Sequence, residues 1–310
     1  MISQSPFFSV VITVYNKAAF IRSTIASVLA QSFKDFEVII INDGSTDESA
    51  EIINSFNDNR LRLISTKNQG ASKARNTGIE EAKYQYIALL DGDDIWHSDY
   101  LNAVYNAIIK FPDAYIFSVA IAQKYKHKTV PVNYSFKQKE LYAIYNYFKA
   151  SQKYTILTSS SIVFHKSVLD KTGYFDTTIV SGQDTDMWIR FGLFYEVVFI
   201  NRELVLYNYN NESLSNTTFK LDKKPKFDKY FEEEDQDNLV KTFLDRNRYS
   251  MAILSKLQND KDSFKFYKSH IKLNSLNNKQ KVLINSPKWL IKLLLKIKSL
   301  KGEKLYYSTN

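Results

Sequence analysis

From Phe8 to Leu90 the hydrophobic positions come in short, nearly unbroken runs, and each run stops at a polar cluster. Phe8 to Tyr15, Phe36 to Asn42, Leu61 to Ser65 and Tyr86 to Leu90 are such runs, rich in Val, Ile and Leu. Continuous apolar runs of this length predict strands buried on both faces. Between them, Ala18 to Ala30 and Ala71 to Lys83 carry helical patterns. Ser45 with Glu48 three residues on forms a capping box that opens a further helix. Strand and helix in strict alternation imply parallel strands joined by right-handed crossovers, with helices on both faces. The expected fold class is α/β, and in such sheets ligands bind beyond the carboxyl ends of the strands. The polar clusters after Val14, Ile41, Ile64 and Leu90 all fall on that edge.

Beyond Asp113 the pattern loosens. Ala114 to Ala122 reads as an edge or crossing strand, Lys124 to Lys139 as a polar, basic loop, and Ser159 to Phe164 as another strand. Asp186 to Phe194 reads as a helix, with Glu196 to Ile200 and Leu204 to Tyr209 as closing strands. From about Phe219 the chain turns polar; Glu232 to Asp235 reads as a solvated acidic helix surface, and helices are expected from about Lys229 to the end. These shifts divide the chain into an α/β domain over 1–218, with halves 1–112 and 113–218, and a helical, basic C-terminal extension over 219–310.

Composition narrows the class. The chain has 310 residues, 44% of them hydrophobic, enough for a sizeable core. It has no cysteine, which excludes disulfides, thiolate metal sites and cysteine nucleophiles. The start, Met1 to Pro6, lacks a basic stretch ahead of an apolar one, so no secretory signal is expected, and no run approaches the roughly 18 apolar residues of a membrane span. The net charge of +9 is uneven: residues 241–310 hold 16 of the 42 Lys and Arg but 4 of the 33 Asp and Glu. The basic excess therefore belongs to the tail, and the body is slightly acidic.

The most telling chemistry is Asp91-Gly92-Asp93-Asp94, three carboxylates and a glycine where an apolar strand leaves the sheet. Crowded carboxylates raise one another's pKa and are tolerable with a hard divalent cation among them; Gly92 lets the backbone turn tightly enough to aim them at one point. A solvated acidic turn is the alternative for that string alone. Three further clusters share its edge. Thr13-Val14-Tyr15-Asn16-Lys17 offers an aromatic face at Tyr15, for a nucleobase or as ordinary strand-end packing. Asn42-Asp43-Gly44-Ser45 offers Asp43, to accept from a base N–H or to cap a turn. Asn68 to Gly78 has small residues ahead of a helix and Arg75 one turn in, placed to pair with phosphate or to brace the acids.

Taken in order, Val10 to Asn16, Ile41 to Asp47, Asn68 to Gly78 and Leu90 to Asp94 resemble family 2 glycosyltransferases of the GT-A fold, over roughly residues 8–210. The resemblance implies a Rossmann-like, mostly parallel sheet flanked by helices. It implies that Thr13, Tyr15, Asp43, Asn68, Arg75, Asp91 and Gly92 hold the nucleotide-sugar, and that Asp91 and Asp93 form a DXD motif, Asp93 being the direct ligand of Mn²⁺ or Mg²⁺. The family also carries a Gly-Phe-Asp segment followed by a Glu-Asp pair opening a helix. Here these are Gly173-Tyr174-Phe175-Asp176 and Gln183-Asp184, so Asp184 is implied as the catalytic base while Gln183 stands where the family has Glu. Asp184 and Asp186 also suit a plain helix N-terminus. Gln183 and Trp188 are the candidate acceptor contacts, with core packing the alternative for Trp188.

These parts imply an inverting transferase that moves a sugar from a nucleotide-sugar, most commonly a UDP-sugar in the family, to a hydroxyl of a glycan or lipid-linked acceptor. A nucleotidyltransferase and a non-catalytic sugar-nucleotide or glycan-binding module are the other readings; a Rossmann dehydrogenase is disfavoured because Tyr15-Asn16-Lys17 follows strand one where a Gly-x-Gly-x-x-Gly belongs. The tail places Lys288, Lys292 and Lys296 on one helical stripe beside Trp289 and several Leu and Ile, which fits an anionic membrane surface or a helix docked on the body. The expected location is cytoplasmic, peripheral on the inner face of the cell membrane, with no nucleic acid as partner.

Overall fold

A computed structural model describes residues 8–125, 128–208 and 221–300. The chain divides into two compact units, Met1–Asn210 and Asn211–Asn310. The expected boundary at 218/219 lies outside the described residues.

In the first unit the four apolar runs form strands β1 (Phe8–Val14), β2 (Phe36–Asp43), β3 (Leu61–Thr66) and β4 (Tyr86–Asp91). Helices α1 (Ile21–Leu29), α2 (Ser49–Asn54) and α3 (Ala71–Glu80) alternate with them. The spatial order β3-β2-β1-β4 is parallel throughout. Because the chain crosses back from β3 to β4, the order reverses at β1, and in sheets of this kind the ligand crevice lies at such a reversal, here beyond the carboxyl ends of β1 and β4. There Thr13 is the register partner of Asp91. Val10, Ile12, Val38, Ile40, Ala88 and Leu90 are fully buried in one core cluster, each larger side chain contributing about 1.5–3 kcal/mol by leaving water. Gly78 lets α3 lie on the sheet, since a Cβ there would stand 2.2 Å from Val11 Cγ1.

The sheet continues through β5 (Ile95–Trp96), β6 (Ile116–Tyr125), β7 (Lys128–Pro131), β8 (Tyr142–Tyr145), β9 (Ile162–His165) and β10 (Val197–Asn208). Among the described residues it reaches ten strands in the order β3-β2-β1-β4-β9-β6-β10-β5, with β7 paired to β6 and β8 to β10. Here the sheet is mixed: β9 is antiparallel to both β4 and β6, while β10 is parallel to β6. The helices of this half are α4 (Tyr100–Lys110), α5 (Tyr147–Ala150), α6 (Leu169–Thr172) and α7 (Gln183–Phe194).

Local expectations fail in instructive places. Part of the expected basic loop is a strand, β7, recruited by the free edge of β6. The two closing strands are one, because register shifts around Glu203 absorb the polar interruption. The expected capping box does not form: α2 begins after Glu48 with no side-chain cap, and Ser45 Oγ instead accepts the Asn16 N–H at 3.0 Å. Asp47 serves that start, accepting the Ser49 N–H at 3.0 Å and the Ala18 N–H at 2.9 Å.

The second unit is helical: α8 (Phe231–Gln236), α9 (Asn238–Gln258), α10 (Lys261–Ser269), α11 (Asn278–Asn285) and α12 (Lys288–Leu300). The acidic stretch expected to be solvated turns one member inward: Glu234 is buried and pairs with Arg248 and with Lys241 at 3.7 Å. Lys241 and Arg248 also meet Asp245, so a balanced set of charges is enclosed, which sequence spacing alone does not reveal.

Candidate active site

Two helices carry charged side chains to the crevice, and each starts from a glycine at φ +90°, Gly70 for α3 and Gly182 for α7. Only glycine adopts that conformation without strain. The segment leading into α7 is fastened to α3 by Asn76, whose Nδ2 donates to the Phe175 carbonyl and whose Oδ1 accepts the Phe175 N–H, both at 2.9 Å. Ser72 Oγ adds a bond to the Ile179 carbonyl at 3.3 Å. This clasp brings Arg75 to Asp184, which lie far apart in sequence.

Arg75 is buried, its guanidinium 5.5 Å from the centre of the Phe175 ring. Its Nη2 donates to Asp91 Oδ1 at 2.7 Å, and its Nη1 lies 3.0 Å from Asp184 Oδ1, an ion pair without hydrogen-bond alignment. Burial works against the guanidinium's charge, but Asp184 and Asp91 more than compensate and raise its pKa. Asp184 is raised above the ordinary aspartate value, first by burial; Arg75 opposes this, Asp91 adds to it, and the Ser159 hydroxyl opposes it. The Asp184 side chain keeps 35% of its surface while Oδ1 is enclosed, so its exposed surface lies away from Arg75.

The turn after β4 separates its three acids by role. Asp91 faces Arg75, and its N–H donates to Ser160 Oγ at 3.2 Å. Asp93 is buried and pairs with Lys17 of the β1 loop. Burial pushes Asp93 up, Lys17 pulls it back, and the charge of Asp91 adds to the rise. Asp94 is enclosed: it accepts from Ser160 Oγ at 2.5 Å and from the Asn208 N–H at 2.9 Å, fastening the turn to the end of β10. Its carboxyl is held well above the usual range by burial and then by Asp93 and Asp91. Gly92 is required by close approach: a Cβ there would meet the Thr13 carbonyl oxygen at 2.9 Å and Val14 Cγ2 at 3.2 Å. Its φ is not positive, so the tight turn expected of it is not what demands glycine.

Tyr15 is 46% exposed at the crevice edge. Asp43 is buried, with Oδ1 accepting the Gln69 N–H and Oδ2 the Gly70 N–H, both at 2.8 Å. It braces the loop entering α3; Oδ1 also accepts from Thr66 Oγ1 at 3.4 Å, while Oδ2 keeps a second lone pair. Asn68 is exposed on that same loop. Gln183 opens α7 with a buried Oε1 that has no hydrogen-bond partner. Trp188 does not reach the crevice: it is 2% exposed and packs on Phe175 and Phe191, so its assignment to an acceptor is corrected to core. A helix that opens at Gln183 turns position 188 onto its buried face.

Sequence reading missed Lys17 as the partner of Asp93, Ser160 and Asn208 as the fasteners of the acidic turn, and Ser159 beside Asp184. The run Ser159-Ser160-Ser161 ahead of an apolar strand was the available signal. For a divalent cation the donor set is limited. Among the described residues no three His, Asp or Glu are grouped to hold one. A cation shared with a diphosphate draws only one or two protein carboxylates and keeps several waters. Asp91 and Asp93, flanking Gly92 with excess negative charge, fit that type of site.

The sequence profile described as Glycosyl transferase family 2 matches residues 9–173, more than half of the chain. Glycosyltransferase GlyG of Streptococcus pneumoniae serotype 4 is 29% identical over 233 residues, covering 70% of this chain and 75% of GlyG. Glycosyltransferase GlyA of the same organism is 36% identical over 105 residues, covering 33% of this chain and 15% of GlyA's length. Among solved structures, S. aureus TarS 1-349 in complex with UDP-GlcNAc matches with a TM-score of 0.68 at 18% identity, covering 89% of this chain and 83% of that one. At that identity the likeness is one of fold, and it places the sheet and its flanking helices in the GT-A class. The chain belongs to glycosyl transferase family 2.

Proposed function

We propose that the chain transfers a sugar, with inversion, from a nucleotide-sugar to a hydroxyl of a glycan or lipid-linked acceptor. The observation that carries this reading is the double pairing of Arg75, which ties Asp91 of the acidic turn to Asp184 on α7. Tyr15 and Asp43 take the nucleoside, with Thr13, Asn68 and Gly92 lining its approach. Asp91 and Asp93 would hold Mn²⁺ or Mg²⁺, which when bound would supply positive charge to the diphosphate. Arg75 adds a fixed, dry charge on the same side. Asp184 takes the acceptor hydroxyl's proton as that oxygen attacks the anomeric carbon from the face opposite the diphosphate, which leaves with the bonding electrons. The raised pKa of Asp184 suits a base, and a UDP-sugar donor is supported by the UDP-GlcNAc named with TarS.

The test is hydrolysis of a panel of UDP- and GDP-sugars with Mn²⁺ and then with EDTA. Metal-dependent nucleotide release from one donor, lost in Asp93→Ala, is the expected result. Nucleotide binding without turnover, even with glycan acceptors present, would overturn it in favour of a binding module.

The second unit supports a peripheral site on an anionic membrane, on the cytoplasmic side. In α12, Ile291 is buried while Trp289 is 66% exposed, with Leu293, Leu294 and Ile297 exposed on the same helix. Lys292 and Lys296 are exposed among them, and Lys288 Nζ donates to Asn259 Oδ1 at 2.8 Å. No helix among the described residues is long and apolar enough to cross a membrane.

A further inference from the structure

The crevice is over-supplied with negative charge. Three carboxylates, Asp91, Asp93 and Asp184, meet two cations there, and Arg75 already serves two of the acids. The other cation, Lys17, is committed to Asp93. Its backbone is fixed: its N–H donates to Ser49 Oγ at 2.9 Å, and its carbonyl accepts the N–H groups of Phe20 and Ile21, both at 2.9 Å. The side chain is 21% exposed and hangs from a flexible stem, so the ammonium can change partner while the loop stays put. It follows Tyr15 by two positions, in the loop that leaves β1.

We propose that Lys17 is a diphosphate-binding residue held in reserve by Asp93. In the donor-free protein its ammonium neutralises Asp93; when a nucleotide arrives, the ammonium turns to the diphosphate and leaves the Asp93 carboxylate to the metal. This rests on the nucleotide-sugar reading of the same crevice. It explains why the residue proposed to bind metal is already paired with a cation. It also makes Asp93 a competitor for Lys17 whenever metal is absent.

The experiment is calorimetric binding of UDP and GDP, their monophosphates and their nucleosides, in EDTA, to the full chain and to Lys17→Met, Lys17→Arg and Asp93→Asn, with thermal melts as a fold check. Lys17→Met is expected to weaken the preferred diphosphate by about tenfold or more, the strength of a charge-assisted hydrogen bond. The nucleoside is expected to bind unchanged, and Lys17→Arg to restore most of the loss. Asp93→Asn, which frees Lys17, is expected to tighten the diphosphate in EDTA. Equal weakening of nucleoside and diphosphate in Lys17→Met would reduce Lys17 to a loop-structure role and overturn the proposal, as would unchanged diphosphate affinity. Failure of the unaltered chain to bind any of these compounds, in EDTA and again with Mn²⁺, would overturn the donor-site reading itself, and this inference with it; binding of the diphosphate only with Mn²⁺ would keep that reading and overturn this inference.

Discussion

Arg75 Nη1 stands 3.0 Å from Asp184 Oδ1, while Nη2 of the same guanidinium donates to Asp91 at 2.7 Å. One side chain therefore joins the acidic turn of β4 to the first turn of α7. Removing it should loosen both. Arg75→Met is expected to cost about 3 kcal/mol, the low end for a broken buried ion pair because both acids keep partial access to water. Arg75→Lys should recover only part of that, since an ammonium does not span two carboxylates as a planar fork does. Urea unfolding of the two variants checks this; equal stability of all three proteins would refute the bridging role.

The pH dependence follows from Asp184. Its folded pKa is raised, so the base is lost to protonation at a higher pH than for an ordinary aspartate. The acid limb of kcat/KM should therefore lie above the ordinary aspartate range, with activity rising as pH increases through it. The same shift means that folding favours the protonated acid. Its contribution to stability is greatest below the unfolded value near 3.8 and is lost as pH rises through the folded value. Asp184→Asn should lower kcat by about 10²–10⁴-fold and leave nucleotide affinity nearly intact. A variant with full activity would favour a nucleotidyltransferase.

Gly92→Ala tests the packing of the acidic turn. The added methyl would meet the Thr13 carbonyl oxygen, part of the backbone, so β1 or the turn must shift. A loss of about 1–3 kcal/mol is expected, as for other over-packed sites. Donor affinity should fall as well, because Asp91 and Asp93 flank the displaced residue. Thermal melts beside nucleotide binding would separate the two effects, and a fully stable, tight-binding variant would show that the turn tolerates the shift.

Membrane attachment is checked by co-sedimentation with vesicles containing anionic lipid. Replacing Lys288, Lys292 and Lys296 by Gln should weaken binding by about 1 kcal/mol per lysine at low salt. Trp289→Ser should weaken it through lost apolar contact, with less dependence on salt. Binding that is indifferent to all four changes would return α12 to the role of an exposed structural helix.

Much of the fold was legible because the first half obeys local rules consistently. The buried strands β1, β2 and β4 are continuous apolar runs, and their polar ends mark the carboxyl edge. The edge strand β7 was less legible, because it is stabilised by its neighbour's free hydrogen-bonding groups, which lie elsewhere in sequence, and β10 was less legible because its pairing with β6 carries it through the polar interruption at Glu203. Glu234 was misread for a related reason: its partner Arg248 lies on another helix, and charge alone does not say which way a residue faces.

The sequence by itself determined the α/β alternation, the edge on which polar clusters converge, and the order of motifs that assigns the chain to its family. These properties are local: hydrophobic period, turn residues and motif spacing are written along the chain. Only the tertiary structure decided which charges meet. It joined Arg75 to both Asp91 and Asp184, gave Lys17 to Asp93, enclosed Asp94 with Ser160 and Asn208, and turned Trp188 into the core. The reason is physical. An ionic pairing or a burial depends on distances between segments remote in sequence, and those distances exist only once α3, α7 and the strand ends have packed together.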